Sequence, residues 1–486
     1  MENYIIQSRS LLLPYLTVII LIFCLVSRIL TTIYYIEDPD SLRFALSTLE
    51  YDVSKNQPHF PGYPLFCWLA MGIRNILGSF ALAFSLIGGL MSFLLVYASI
   101  KLYEELKQSS PPLLLTLLLC VNPLLWLMGN RYMPDLSGVA VVMLIFLCYV
   151  RGIRRGGYYP LLAQFVSGLL IGVRLSYLPI VLLPALHLLI AQPKKIRQIL
   201  AGLSGIAIWM IPFLLHTDFQ ALLQTAFTHT DGHFNDFGGT VNSVSDFGLR
   251  FQKLLLHTYA DGLGGYCYGR SLATWGITLG LICGFVGSLI QFIQNIRSKS
   301  IPLLTLSIIA SCVLYTLWVY FYQNIVFKSR HILVLLPFLI WLLYEGLQYI
   351  QVWMPRVFYR LLIVWFAGCL IYTTLSLTKQ HKEPVAIAQL HAYLTPRVQP
   401  TEYIITSKLI RYFLETQQIH AHYLDIDDSN ISLDSLANKQ VWVIGNLKRY
   451  KNYSLTPVKL FFHNPYVNRM WPIIQLSKLE TQQKNP

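Results

Sequence analysis

Charge is what this sequence has least of. Asp, Glu, Lys and Arg make up 12% of its 486 residues, against 55% hydrophobic residues and a mean hydropathy of +0.52. A soluble globular protein carries about 25% charged residues, so the composition excludes an ordinary soluble domain and points to a membrane. Paired cysteines are missing as well. The eight cysteines include no C-x-x-C spacing. Cys24, Cys120, Cys148, Cys283, Cys312 and Cys369 fall inside apolar runs, where cysteine acts as a small hydrophobe. Only Cys67 and Cys267 lie near polar segments, so neither a disulfide framework nor a zinc site is supported. No internal repeat or low-complexity tract is present. The net charge is +14, but most of it sits in short tracts between apolar runs, without the interleaved aromatics of a nucleic-acid platform. That pattern excludes nucleic acid as a partner. The first apolar run, Leu11 to Tyr35, is too long for a signal-peptide core and lacks an A-x-A-like cleavage site. It reads as an uncleaved first span.

Crossing about 30 Å of hydrocarbon takes roughly 20 apolar residues in a helix. Eleven spans are expected, at 11–35, 79–100, 112–130, 134–150, 159–174, 177–191, 199–216, 272–293, 302–322, 331–350 and 358–377. The fifth and sixth are short, flank Gly172-Val173-Arg174, and read as tilted or broken. Lys101, Lys107, Arg151, Arg154, Arg155, Lys194, Lys195, Arg197, Arg297, Lys299, Arg356 and Arg360 all fall on one set of alternate loops. The positive-inside rule makes those loops, and the amino terminus with them, cytoplasmic. Residues 63–77 are apolar but short and contain Pro64 and Arg74, so they read as an interfacial helix within one extracytoplasmic loop, 37–78. A second long extracytoplasmic loop covers 217–270. The expected fold class is an all-α polytopic membrane domain over 1–378, followed by a small extracytoplasmic α/β domain over 379–486. In that tail, Val385–Leu394 and Lys408–Thr416 look helical, and 402–406, 441–445 and 458–462 look like strands.

The polar stretch "DPDSLRFALSTLEYDVSKNQPHFPGYPLF" (38–66) follows the first span directly. From Asp40 onward Leu42, Ala45, Leu46, Leu49 and Val53 recur at helical spacing, which predicts a surface helix opening at Asp40. Asp40 then has two readings: an N-cap, or a functional carboxylate. Asp38 and His59 share its loop, and Pro58, Pro61 and Pro64 with Gly62 stiffen the return path. "NRYMPDLSG" places Arg131 and Asp135 between the third and fourth spans, and "VFKSRHILVLLPFL" places Lys328, Arg330 and His331 at the start of the tenth. Such charges either snorkel to headgroups or form one site. Acids and bases at one membrane level suit a phosphate-bearing lipid beside a carboxylate base. Arg174, between two short spans, is either functional or paired for packing.

These motifs resemble the GT-C superfamily of polyprenyl-phosphate-sugar glycosyltransferases, in the branch of protein O-mannosyltransferases and aminoarabinose transferases. The resemblance rests on "DSLRFA" at 40–45, "HFPGYPL" at 59–65 with His59 and Tyr63, "MPD" at 133–135 and "RHILVLLP" at 330–337. Phe60 and His331 depart from the family pattern, in place of a proline and a tyrosine. The resemblance implies an inverting transfer from a polyprenyl-phosphate-linked sugar donor to an acceptor hydroxyl of a protein, lipid or glycan, on the extracytoplasmic face of a bacterial inner or plasma membrane. It implies Asp40 as general base. Asp38, His59, Tyr63, Arg131, Asp135, Arg174, Lys328, Arg330 and His331 are the expected substrate-binding residues, with membrane lipids as further partners.

No cofactor is expected. "HTDGHFNDFGG" (229–239) offers His229, Asp231, His233 and Asp236 as divalent-metal ligands, but reads more readily as a flap hinged at Gly232, Gly238 and Gly239. Two triplets, 430–432 and 452–454, fit the N-glycosylation pattern. The rival function is a transporter or flippase for a lipid-linked glycan, which would place ionisable groups near the bilayer midplane. A third is a subunit that keeps the fold without catalysis.

Overall fold

In hydrocarbon every backbone N–H and C=O must pair within its own segment, so long apolar runs fold as helices. A computed structural model describes residues 2–108, 113–231, 240, 245–298, 301–428, 436, 439–445 and 454–480. The first sequon, Asn452 and Tyr453 of the second, His233, Asp236 and the flap glycines lie outside the described residues. The chain divides into two compact units, one of residues 1–32 and 44–379, the other of 33–43 and 380–486.

The larger unit begins with α1 (Glu2–Leu30); α2 (Pro39–Ser47) crosses the division between the units. Then come α3 (Pro64–Leu77), α4 (Phe80–Lys107), α5 (Leu113–Cys120), α6 (Pro123–Met128) and α7 (Asp135–Arg155). They are followed by α8 (Tyr159–Arg174), α9 (Leu178–Ala191), α10 (Lys195–His216), α11 (Phe219–Asp231) and α12 (Phe247–Leu256). The last helices of the unit are α13 (Ala273–Arg297), α14 (Leu303–Tyr322), α15 (Leu336–Ile350) and α16 (Arg356–His381), whose end passes into the second unit. Among the described residues eight helical runs are long and apolar enough to cross a membrane.

Two expectations change, and the two short runs at 159–174 and 177–191 are separate helices, as expected. The span expected at 112–130 is interrupted, because Pro123 offers no N–H and Asn122 caps a new helix by accepting from Leu125 N at 3.0 Å. The run 159–191 folds back on itself. Gln164 Nε2 donates to Ala185 O at 2.9 Å, although a straight helix would hold those residues ~31 Å apart. α8 and α9 are therefore an antiparallel hairpin turning through the 3₁₀ segment Leu175–Tyr177. The expected loop 217–270 contains α11, α12 and a π-helical turn at His257–Gly262, so most of its described part is helical.

The second unit holds α17 (Ala386–Leu394), α18 (Lys408–Thr416) and a five-stranded sheet. Its strands are β1 (Tyr403–Thr406), β2 (His422–Asp425), β3 (Val441–Ile444), β4 (Ser454–Phe462) and β5 (Ile473–Glu480), ordered β2-β1-β3-β5-β4. β1 runs parallel to β2 and β3, while β5 is antiparallel to β3 and β4. Ile405, Leu436, Val441 and Val443 form its buried core. The periodicity of "EYIIT" and "VWVIG" locates β1 and β3, whereas β2 and β5 carry too little apolar alternation to be read from sequence.

Candidate active site

The first turn of α2 decides what its two aspartates do. Asp38 Oδ1 accepts from Ser41 N at 2.7 Å, and Asp38 O takes the first helical bond, from Leu42 N at 3.0 Å. Asp38 is therefore the N-cap, two residues earlier than the sequence suggested, because Pro39 fits the first helical position. Asp40 lies inside the first turn, where the helix dipole favours a carboxylate. It pairs with Arg43 Nη1 at 3.4 Å, and the Arg43 guanidinium in turn lies 5.0 Å from the Tyr412 ring centroid. Just upstream, Glu37 Oε1 meets His381 Nε2 at 2.8 Å with both side chains buried, and Tyr35 Oη donates to His381 O at 2.7 Å. These residues all belong to the second unit.

The larger unit gathers a second cluster. Gly62 sits at φ +92°, and a Cβ there would meet Tyr51 Oη at 2.8 Å, so the turn before α3 needs glycine. Burial pushes the Tyr51 hydroxyl pKa well up, which keeps it a donor to Gly62 O at 2.9 Å. Asp52 opens this loop. Burial works against its charge, but the Ser54 hydroxyl and amide, with Lys55, outweigh that and hold its carboxyl below the usual range. Tyr63, at φ 46°, caps α3. Its hydroxyl lies 3.2 Å from His59 Nε2, and the Phe44 ring packs edge-on against both side chains. His229, at the end of α11, stacks on His59 with ring centroids 5.4 Å apart. Among the described residues no group of three metal-ligating side chains occurs.

Deeper in, Arg174 Nη1 donates to Tyr63 Oη at 3.3 Å and Nη2 donates to Asp135 Oδ1 at 2.8 Å. Both ends of this ion pair are buried. Its position follows from the hairpin turn, which delivers Arg174 and Tyr177 to the first turn of α7 across Gly138. A Cβ on Gly138 would meet both side chains at 2.8 Å. Tyr177 packs edge-on against Tyr315, whose hydroxyl donates to His331 O at 2.9 Å. Arg330, on the 3₁₀ segment Ser329–Leu335, donates to Met133 Sδ and lies within electrostatic reach of Arg174. Lys328 is half-buried at the start of that segment, and Arg131 is half-buried with its carbonyl accepting from Met133 N.

The structure thus joins His59, Tyr63, Arg174 and Asp135 by contact, with His331 and Arg330 alongside, while Asp38 and Asp40 belong to the other unit. Tyr177, Arg43 and Phe44 were not anticipated. Nor was the buried pair His257 Nδ1–Asp261 Oδ2, at 2.8 Å, although its i,i+4 spacing in "HTYAD" was visible. Arg28, buried with its guanidinium 4.2 Å from the Trp126 centroid, was also passed over.

Comparison with solved structures settles the architecture. ArnT from Cupriavidus metallidurans in the apo state matches at TM-score 0.53 and 11% identity, covering 96% of this chain and 98% of that one. The same protein bound to undecaprenyl phosphate matches at TM-score 0.51 and 10% identity, covering 95% and 97%. The chain has the GT-C fold. An oligosaccharyltransferase from Archaeoglobus fulgidus lies further off, at TM-score 0.44 and 10% identity over 89% of this chain and 69% of that one. No family model and no curated protein matches the sequence. With identity this low, the GT-C likeness is one of architecture alone.

Proposed function

We propose that this GT-C chain is an integral-membrane inverting glycosyltransferase, moving a sugar from a polyprenyl-phosphate donor to an acceptor hydroxyl. The observation that carries the reading is the division of labour in α2. Asp38 takes the capping bond, so the Asp40 carboxylate is not required for it. The Asp40 carboxylate takes the acceptor's proton as the acceptor oxygen attacks the anomeric carbon. The bond from that carbon to the phosphate oxygen breaks with inversion, and the lipid phosphate leaves with the electron pair. Lys328, Arg330 and Arg131 supply the cations that match its charge. That the neighbouring ArnT structure holds undecaprenyl phosphate supports a lipid of that class as the donor's carrier. The acceptor hydroxyl belongs to a protein, lipid or glycan.

The test is to incubate the purified protein in nanodiscs with a panel of radiolabelled polyprenyl-phosphate sugars. Transfer to an added acceptor, or slow release of sugar to water, is expected for at least one donor. Complete inertness toward every donor, by protein that remains folded, would sink the reading.

A further inference from the structure

Arginine presents its Nε–H and one Nη–H in parallel, so an arginine beside a carboxylate ordinarily closes a two-bond fork. Arg174 and Asp135 close only half of one. Nη2 donates to Asp135 Oδ1 at 2.8 Å. Arg174 Nε and Asp135 Oδ2, the atoms a second bond would use, are both buried and have no hydrogen-bond partner among the described residues. A third such atom is close by. The Tyr177 hydroxyl is buried and likewise unpartnered, and the Arg174 guanidinium lies 5.8 Å from the Tyr177 ring. Buried polar atoms are almost always paired, and leaving one unpaired is costly. Three together, on residues 0–5% exposed, point to something that pairs with them.

The chemistry of the set is specific. Asp135 Oδ2 only accepts, Arg174 Nε–H only donates, and the Tyr177 hydroxyl does either. One hydroxyl group satisfies all three: it donates to Oδ2 and accepts from both Nε–H and the Tyr177 hydroxyl. A phosphate does not, because it would set a second anion against Asp135 Oδ2. We propose that the open half of the Arg174–Asp135 fork, with Tyr177, is a hydroxyl-binding slot filled by a ring hydroxyl of the donor's sugar. The inference rests on the donor reading above and deepens it: the slot recognises the sugar, whereas the cations of Lys328, Arg330 and Arg131 recognise the lipid phosphate. The Arg174–Tyr63 hydrogen bond ties the slot to the turn carrying His59.

The experiment compares two probes on three proteins. Dissociation constants are measured in nanodiscs for undecaprenyl phosphate alone and for undecaprenyl phosphate carrying glucose, mannose or arabinose, using the wild type, Asp135→Asn and Tyr177→Phe. Asn can keep the bond from Nη2 through its carbonyl oxygen, but its amide nitrogen turns a donor toward Nε–H and the ligand hydroxyl. The expected result is that Asp135→Asn binds the preferred sugar-bearing lipid roughly 10-fold or more weakly, the loss of about one charged hydrogen bond, and Tyr177→Phe roughly 3–10-fold more weakly, the loss of a neutral one. Their affinity for undecaprenyl phosphate alone stays within about twofold, since no slot atom is assigned to the phosphate. Unchanged affinity for the sugar-bearing lipid, or equal loss for both lipids, means that an enclosed water fills the fork, and overturns the slot. If wild type binds none of the lipids, the donor reading falls and the slot with it. Should Asp135→Asn fail to fold, Tyr177→Phe removes one oxygen and decides the matter alone.

Discussion

Asp38 and Asp40 stand two residues apart and meet different partners, one a backbone amide and the other a guanidinium. That difference separates stability from chemistry. Asp38→Ala removes the cap and should cost about 1 kcal/mol of stability in thermal or chemical unfolding, whereas Asp38→Asn keeps an accepting oxygen and should cost little. Asp40→Asn should leave the melting temperature close to wild type, yet lower kcat about 10²–10⁴-fold, the usual contribution of a general base. Normal turnover by folded Asp40→Asn would remove it from the catalytic role. The same scale explains why Arg174 reads ambiguously in isolation: a charge between two spans is costly, and only its contact with Asp135 shows how it is neutralised.

At the scale of elements, short helices and their ends place the polar groups. α12 and the end of α14 hold each other reciprocally. Arg250 bonds to the carbonyls of Tyr320 and Gln323, the latter at 3.0 Å, and Tyr320 Oη donates to Phe247 O at 3.0 Å. A helix leaves its last carbonyls unpaired, and Arg250 satisfies two of them just before the segment that carries Lys328 and Arg330. Arg250→Ala should therefore destabilise the protein by about 1–3 kcal/mol, and loosen the approach of both cations. Thermal unfolding together with the donor KM checks this. A melting temperature and KM both equal to wild type would mean that the clamp does not hold the segment.

Across the whole molecule, the basic residues divide the connections between helices into two sets, and Lys55 and Ser298 lie in opposite sets. Both are exposed, so cysteine placed at either is accessible to reagents on its own side. In a background where Cys267, the polar-segment cysteine, is serine, Lys55→Cys should be labelled from outside intact cells by an impermeant maleimide. Ser298→Cys should be labelled only after permeabilisation. Outside labelling of Ser298→Cys would invert the assignment of sides.

The helical runs, the apolar character of the larger unit, the α/β character of the tail and the DSLRFA and HFPGYPL motifs were all legible in sequence. Hydropathy and helical periodicity depend on residues within a few positions of each other, and so does the turn chemistry of Pro and Gly. What lay beyond that range was decided by packing. The reversal at Arg174 was legible as two successive spans, but how the two helices meet is fixed by a bond spanning 21 residues. The Arg174–Asp135 pair joins positions 39 apart, and Arg174 reaches Tyr63 across 111. The stacking of His229 on His59 joins residues still further apart in sequence. Even the local choice of cap turned on where α2 begins, at Pro39, which leaves Asp38 and not Asp40 as the cap. Sequence named the residue types able to do this chemistry. The burial of charges that hydrocarbon would otherwise reject decided which of them meet.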